Sequence, residues 1–256
     1  MTDPKTAIVQ LLKSLETGDP EPVRIVHPQR YTQHNLAVGD GLAGLAAVLQ
    51  AAPPGSIRAN TVRVFQDGDH VVAHTAYDFF GPKIGFDIFR LEDGLVVEHW
   101  DNLQETPTQP NPSGRTMIDG PTAVVDREHT AANKALVRAF VTEVLVNGQA
   151  ERLGAYIDAD RYTQHNPAVG DGVPALVAAL QAMAQAGTPM TFTRLHAVLG
   201  EGNFVLSVSE GQMLGRHVAF YDLFRVDHGK IVEHWDTIEA IAPPSEWKNA
   251  NGKFGF

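Results

Sequence analysis

Between residues 4 and 17 the apolar positions Ile8, Leu11, Leu12 and Leu15 recur at helical spacing, and Gly18-Asp19-Pro20 closes the run. A helix is therefore predicted over 4–17. A short helix is expected over Pro22 to Val26, and another from about Gly41 to Ala51, stopped by Pro53-Pro54-Gly55. The texture then changes from helical spacing to alternation. Arg58 to Phe65 and Val71 to Phe80 read as strands joined across Asp67-Gly68, and Gly81-Pro82 breaks the second. Phe86 to Leu91 and Leu95 to Leu103 read as a hairpin across Glu92-Asp93-Gly94. Residues 104–126, rich in Pro, Thr, Gly and Asn, read as a tail plus linker.

The same order then returns. A helix is predicted over 127–146, with Leu136, Phe140, Val141, Val144 and Leu145 as its apolar stripe, then a short helix over 149–157 and a third over 172–186. Strands follow at about 190–199, 203–211, 216–226 and 230–240. The sequence itself repeats. Arg30-Tyr31-Thr32-Gln33-His34-Asn35 recurs as Arg161 to Asn166, and each copy runs on to Val-Gly-Asp-Gly. Asp87-Ile88-Phe89-Arg90 and Val97-Glu98-His99-Trp100-Asp101 recur as Asp222 to Arg225 and Val232 to Asp236. Even Asn111-Pro112-Ser113-Gly114-Arg115 is echoed by Asn249-Ala250-Asn251-Gly252-Lys253. Two copies are too few for a solenoid. The expected architecture is α+β: two tandem domains over 1–110 and 127–256, joined by a linker at 111–126, each with about three helices before about four strands.

With 256 residues, two such domains can each bury a core. The net charge of −10 disfavours general nucleic-acid binding and attachment to anionic lipid. The absence of cysteine excludes disulfides, thiol nucleophiles and Cys-type zinc sites. No apolar run approaches the roughly 20 residues that span a bilayer. The first residues do not read as a signal peptide, so a cytoplasmic location is expected.

Alternation puts His99 with Asp101 on one face of a strand, and Glu98 with Trp100 on the other; His234 and Asp236 are arranged likewise. In a register that sets Asp87 opposite His99 or Asp101, all three share a face, and a one-residue slip sets Asp87 with Trp100 instead. If that face lines a cavity, the group suits proton transfer. The alternative is a plain strand end, with Trp in the core and Asp opening a turn. In the repeated motif, Asp40 and Asp171 read as helix N-caps. Tyr31 and Tyr162 read as core residues with a bonded hydroxyl. Gln33, His34 and Asn35 either satisfy loop backbone or present donors to a pocket. A metal set of His34, His74, His99 and Asp101 is conceivable, but position 74 is Val208 in the second copy, and no metal or other cofactor is expected.

Tyr-Thr-Gln-His-Asn-Pro-x-Val-x-Asp-Gly, followed by Asp-x-Phe-Arg and Gly-Lys-Ile-Val-Glu-His-Trp-Asp, resembles the SnoaL-like group of the nuclear transport factor 2-like superfamily. The resemblance spans nearly the whole chain as two domains. It implies a cone, in which a curved, mainly antiparallel sheet wraps helices around an apolar pocket. It also implies polyketide cyclase chemistry, an intramolecular aldol condensation without metal or cofactor. In that group an aspartate on a late strand is the acid–base residue, and Asp101 and Asp236 match it by position, with His99 and His234 beside them. Asp87 and Asp222 fall where the group carries a histidine. The resemblance further implies a pocket wall of His34, Asn35, Asp87 and Trp100, and of His165, Asn166, Asp222 and Trp235. Hydrolases, ketosteroid isomerases, dehydratases and non-catalytic binding domains share the superfamily. A buried aspartate against His in an enclosed pocket favours an enzyme, a water between two carboxylates favours a hydrolase or dehydratase, and an open mouth favours a binding module. The implied partner is a small molecule, with no nucleic acid or membrane, and the tandem implies an intrachain pseudo-dimer, monomeric in solution.

Overall fold

The computed structural model describes residues 2–53 and 55–256. Pro54, part of the expected helix stop, lies outside them. Two compact units are present: one runs to Thr106 and includes Ala242–Phe256, and the other is Pro107–Ile241. Residues 107–126, expected as a tail plus linker, thus pack in the second unit, and the final residues pack in the first.

In the first unit α1 spans Pro4–Thr17. Asp3 caps it by accepting from the Thr6 N–H, and Gly18 ends it in the left-handed conformation. A 3-10 turn at Pro22–Ile25 leads to the two-residue strand β1 (Thr32–Gln33) and then α2 (Gly41–Ala51). Strands β2 (Arg58–Asp67), β3 (His70–Asp78), β4 (Pro82–Glu92) and β5 (Leu95–Glu105) complete the unit. The sheet order is β1-β5-β4-β3-β2, with β1 parallel to β5 and the other pairs antiparallel.

The second unit repeats this plan. Its helices are α3 (Thr130–Phe140), prolonged by a π-helical turn at Val141–Val146, then α4 (Leu153–Tyr156) and α5 (Val173–Gln185). Its strands are β6 (Thr163–Gln164), β7 (Thr191–Glu201), β8 (Phe204–Met213), β9 (Arg216–Asp227) and β10 (Lys230–Ala240), in the order β6-β10-β9-β8-β7. The α+β fold expected from the sequence is present in both halves, with one short parallel strand added to each four-stranded antiparallel sheet.

The apolar stripe of α1 supplies Ile8, Leu11 and Leu12 to a core with Val26, Tyr31, Val71, Ala73, Phe89 and Val96. In the second unit Val137, Phe140, Val141 and Val144 do the same against Val198, Val205, Phe224 and Val226. Burial of each such side chain contributes about 1.5–3 kcal/mol. α2 differs. It is strongly apolar, yet Gly44 is its only buried residue, because Leu45, Val48 and Leu49 border a cavity. No helix among the described residues is long and apolar enough to cross a membrane.

Candidate functional site

The register of the β4–β5 and β9–β10 hairpins decides which side chains meet. Asp93-Gly94 and His228-Gly229 both lie at positive φ, as a tight two-residue turn requires. With one irregularity near each turn, Asp87 then pairs with Asp101 and Phe89 with His99; Asp222 pairs with Asp236 and Phe224 with His234. Asp87, His99 and Asp101 therefore share a face, as do Asp222, His234 and Asp236.

His99 Nε2 lies 3.2 Å from Asp87 Oδ1, and His234 Nε2 lies 3.0 Å from Asp222 Oδ1. The other ring nitrogen meets Gln33 Oε1 at 3.1 Å or Gln164 Oε1 at 2.9 Å. Each glutamine is oriented in turn: its Oε1 accepts from the Asn35 or Asn166 N–H, and its Nε2 donates to the Tyr31 or Tyr162 hydroxyl. Asn35 Nδ2 donates to Asp101 Oδ2 at 2.7 Å, and Asn166 Nδ2 to Asp236 Oδ2 at 2.6 Å. All of these side chains are buried except Asn166, which is half-buried.

Burial is the main force on the acids. It raises Asp87 above the ordinary aspartate range, helped by the Asp101 charge and opposed by hydrogen bonds from His99 and Tyr77. Burial likewise raises Asp236, with Asp222 adding to the effect and His234 and Asn166 opposing it. Burial alone pushes His234 down, but the Asp222 hydrogen bond and the two carboxylate charges carry it above the usual histidine range.

A cavity of about 110 Å³ opens over this face in the first unit. Asp87, His99, Asp101, Asn35, Gln33, Lys83, Tyr31 and Tyr77 are its polar wall, and leucine, valine and phenylalanine make up the rest. Tyr77 donates its hydroxyl to Asp87 Oδ2 at 2.7 Å. Sequence reasoning missed Tyr77, because its place in the second copy is Gly211 and no motif surrounds it. It also missed Lys253, whose buried ammonium sits 3.7 Å from Asp101 Oδ1; the only signal was the echo of Asn111–Arg115 in the tail.

Four expected wall residues lie elsewhere. Trp100 and Trp235 point to the opposite face of the sheet from His99 and His234, as strand alternation dictates. His34 stacks on Trp100 and His165 on Trp235, each with ring centroids 4.7 Å apart. They form a second cluster, in which His34 bonds Glu98 and the Gly252 carbonyl while Arg90 bonds Glu98. His165 bonds Glu233 and the Thr116 carbonyl while Arg225 bonds Glu233. Nor do Asp40 and Asp171 cap helices through their side chains: each accepts the Gln33 or Gln164 N–H at 2.9 Å, fixing the start of the loop.

Burial raises Glu233, but the hydrogen bonds from His165 and Arg225 outweigh it and hold this carboxyl below the usual glutamate range. A depressed carboxyl contributes stability above the unfolded value of about 4.3 and loses it as pH falls through the folded value. Glu233→Gln is therefore expected to flatten the acid limb of the stability profile below about pH 4.3, read by urea unfolding across pH.

As to metals, Asp87, His99 and Asp101 offer ligand atoms within 4.8 Å of one another, as do Asp222, His234 and Asp236. Nε2 of each histidine faces the Asp87 or Asp222 carboxylate of its own set, and Nδ1 faces the side-chain carbonyl of Gln33 or Gln164. The structure does not gather the sequence-derived set: His74 stacks on Phe86 and meets Arg63, while His34 lies on the Trp100 face.

Residues 137–234 match the family described as a SnoaL-like domain. Among solved structures the chain is similar to IdmH of Streptomyces antibioticus, assigned as a polyketide cyclase, at 22% identity over 40% of this chain and 92% of that one, with a TM-score of 0.35. It is similar to a protein of Kribbella flavida assigned as a ketosteroid isomerase, at 14% identity over 45% and 84%, TM-score 0.38. It is also similar to an LEH-like epoxide hydrolase of M. tuberculosis, at 22% identity over 43% and 85%, TM-score 0.34. No curated protein matches with significance.

Proposed function

We propose that this chain, whose residues 137–234 match the SnoaL-like domain family, is a cofactor-independent acid–base catalyst acting on a small apolar carbonyl compound by aldol-type ring closure. The observation that carries the reading is the buried Asp87–His99–Asp101 row on the polar wall of an otherwise apolar cavity. An aldol closure needs a base beside the carbonyl and a donor for the enolate oxygen. In the first unit Asp101 serves as the base. Asn35 orients it, and the Lys253 ammonium lies 3.7 Å from its Oδ1. Asp87, raised by burial and linked to Tyr77, supplies the proton to the enolate oxygen. In the second unit Asp236 and His234 take the corresponding parts, oriented by Asn166 and Gln164.

The direct test is hydrogen–deuterium exchange at the carbon beside the carbonyl, followed by NMR over a panel of hydrophobic ketones and β-diketones. Exchange catalysed by the native chain and lost in the Asp101→Asn/Asp236→Asn double variant supports the reading; exchange that survives in that variant ends it.

The duplicated copies serve within one chain as the counterpart of a homodimer. Light scattering is expected to give the mass of a single chain, 27.8 kDa. Twice that mass overturns this assignment.

A further inference from the structure

The two units keep the Asp–His–Asp row but differ in what surrounds it. In the first, the Tyr77 ring reaches Asp87 across Gly85, where a Cβ would stand 3.1 Å from that ring. In the second, large and small are exchanged: Phe220 stands at the place of Gly85 and Gly211 at that of Tyr77, and a Cβ at Gly211 would meet the Phe220 ring at 2.9 Å. Phenylalanine has no hydroxyl, so Asp222 Oδ2 loses the donor that Asp87 Oδ2 has. Opposite the aspartate, Ala73 is replaced by Ser207.

The register then sets Ser207, Asp222 and Asp236 side by side across β8, β9 and β10. Ser207 is 0% exposed, Asp222 4% and Asp236 6%. Among the described residues, Ser207 Oγ, Asp222 Oδ2 and Asp236 Oδ1 have no hydrogen-bond partner. Each unpaired buried polar atom costs stability, and a carboxylate oxygen costs more. A buried, unpaired serine hydroxyl beside two such oxygens marks a receptor for hydrogen-bond donors rather than a mere cluster of acids.

Charge is also treated differently. The first unit brings its own ammonium, Lys253, to Asp101. In the second, the matching residue Arg115 turns to Asp171 Oδ2 at 3.1 Å instead. We propose that the second unit binds the primary ammonium group of a small aliphatic amine, with its three N–H donors on Ser207 Oγ, Asp222 Oδ2 and Asp236 Oδ1. Three donors match three acceptors, whereas an alcohol offers one. The site shares Asp236 with the proton-transfer reading, but binding is measured without turnover, so the failure of one is distinguishable from the failure of the other.

The test is calorimetric titration of the full chain with n-butylamine hydrochloride near neutral pH, with n-butanol as the neutral comparison. One amine per chain is expected, and no binding of the alcohol. Ser207→Ala is expected to weaken binding about tenfold, and Asp236→Asn to abolish it, with far-UV circular dichroism reporting the fold. If Asp236→Asn does not fold, Ser207→Ala carries the test. No heat with the native chain, equal binding of butanol, or full affinity in Ser207→Ala overturns the proposal.

Discussion

Replacing both Asp101 and Asp236 by asparagine is expected to lower proton-exchange turnover about 10²–10⁴-fold, the usual contribution of a positioned acid–base group. Asparagine keeps the shape and can still accept from Asn35 or Asn166, but it cannot take a proton. Stability is expected to move the other way at neutral pH. Burial, first of all, raises Asp236 in the folded chain. A carboxyl raised on folding contributes stability below its unfolded value, about 3.9, and loses it as pH rises through the folded value. Ionised Asp236 therefore costs stability at pH 7, and Asp236→Asn removes that cost. Urea unfolding at pH 7 is expected to show the single variant at least as stable as the native chain. A variant that is inactive only because it is unfolded contradicts this reading.

Asn111→Ala is expected to destabilise the second unit by about 3 kcal/mol, several buried hydrogen bonds being lost at once. Asn111 Nδ2 donates to the carbonyls of Gln164 and Val169 at 2.8 Å and to that of Asn166 at 3.4 Å. Its Oδ1 accepts from the Ser113 and Arg115 N–H groups. Alanine removes every one of these and leaves buried carbonyls unpaired. The loop so released carries Gln164 and Asn166, which hold His234 and Asp236, so turnover in the second unit is expected to fall with stability. Asn249 has the same part in the first unit, donating to the Asn35 and Val38 carbonyls, and Asn249→Ala is the matched comparison. Equilibrium urea unfolding followed at Trp235 for one variant and Trp100 for the other separates the two units. A shift below 1 kcal/mol for Asn111→Ala contradicts the anchoring role.

The asparagine echo shows how far the sequence reached. Asn111 and Asn249 were visible as a repeat, but nothing local said which segment each would bind. Their partners are backbone carbonyls more than 50 residues away along the chain, and carbonyls leave no trace in side-chain pattern. The helices and strands were legible because each depends on neighbours: the stripe of α1 and its Asp3 and Gly18 ends, the alternation of β3 to β5, and the Asp93-Gly94 turn. That turn also limits the hairpin register, so the meeting of Asp87, His99 and Asp101 was one of few choices. β1 was not legible, since two residues carry no period and their pairing with β5 depends on chain far away in sequence.

By itself, then, the sequence determined the duplication, the α+β order of elements and the Asp–His–Asp residues, all of which rest on local periodicity and repetition. Tertiary structure decided which face those residues share, that His34 and His165 leave it to stack on tryptophan, and that Tyr77 and Lys253 join it. These outcomes depend on contacts between strands and tails distant in the chain, where packing and the pairing of buried charge set the choice.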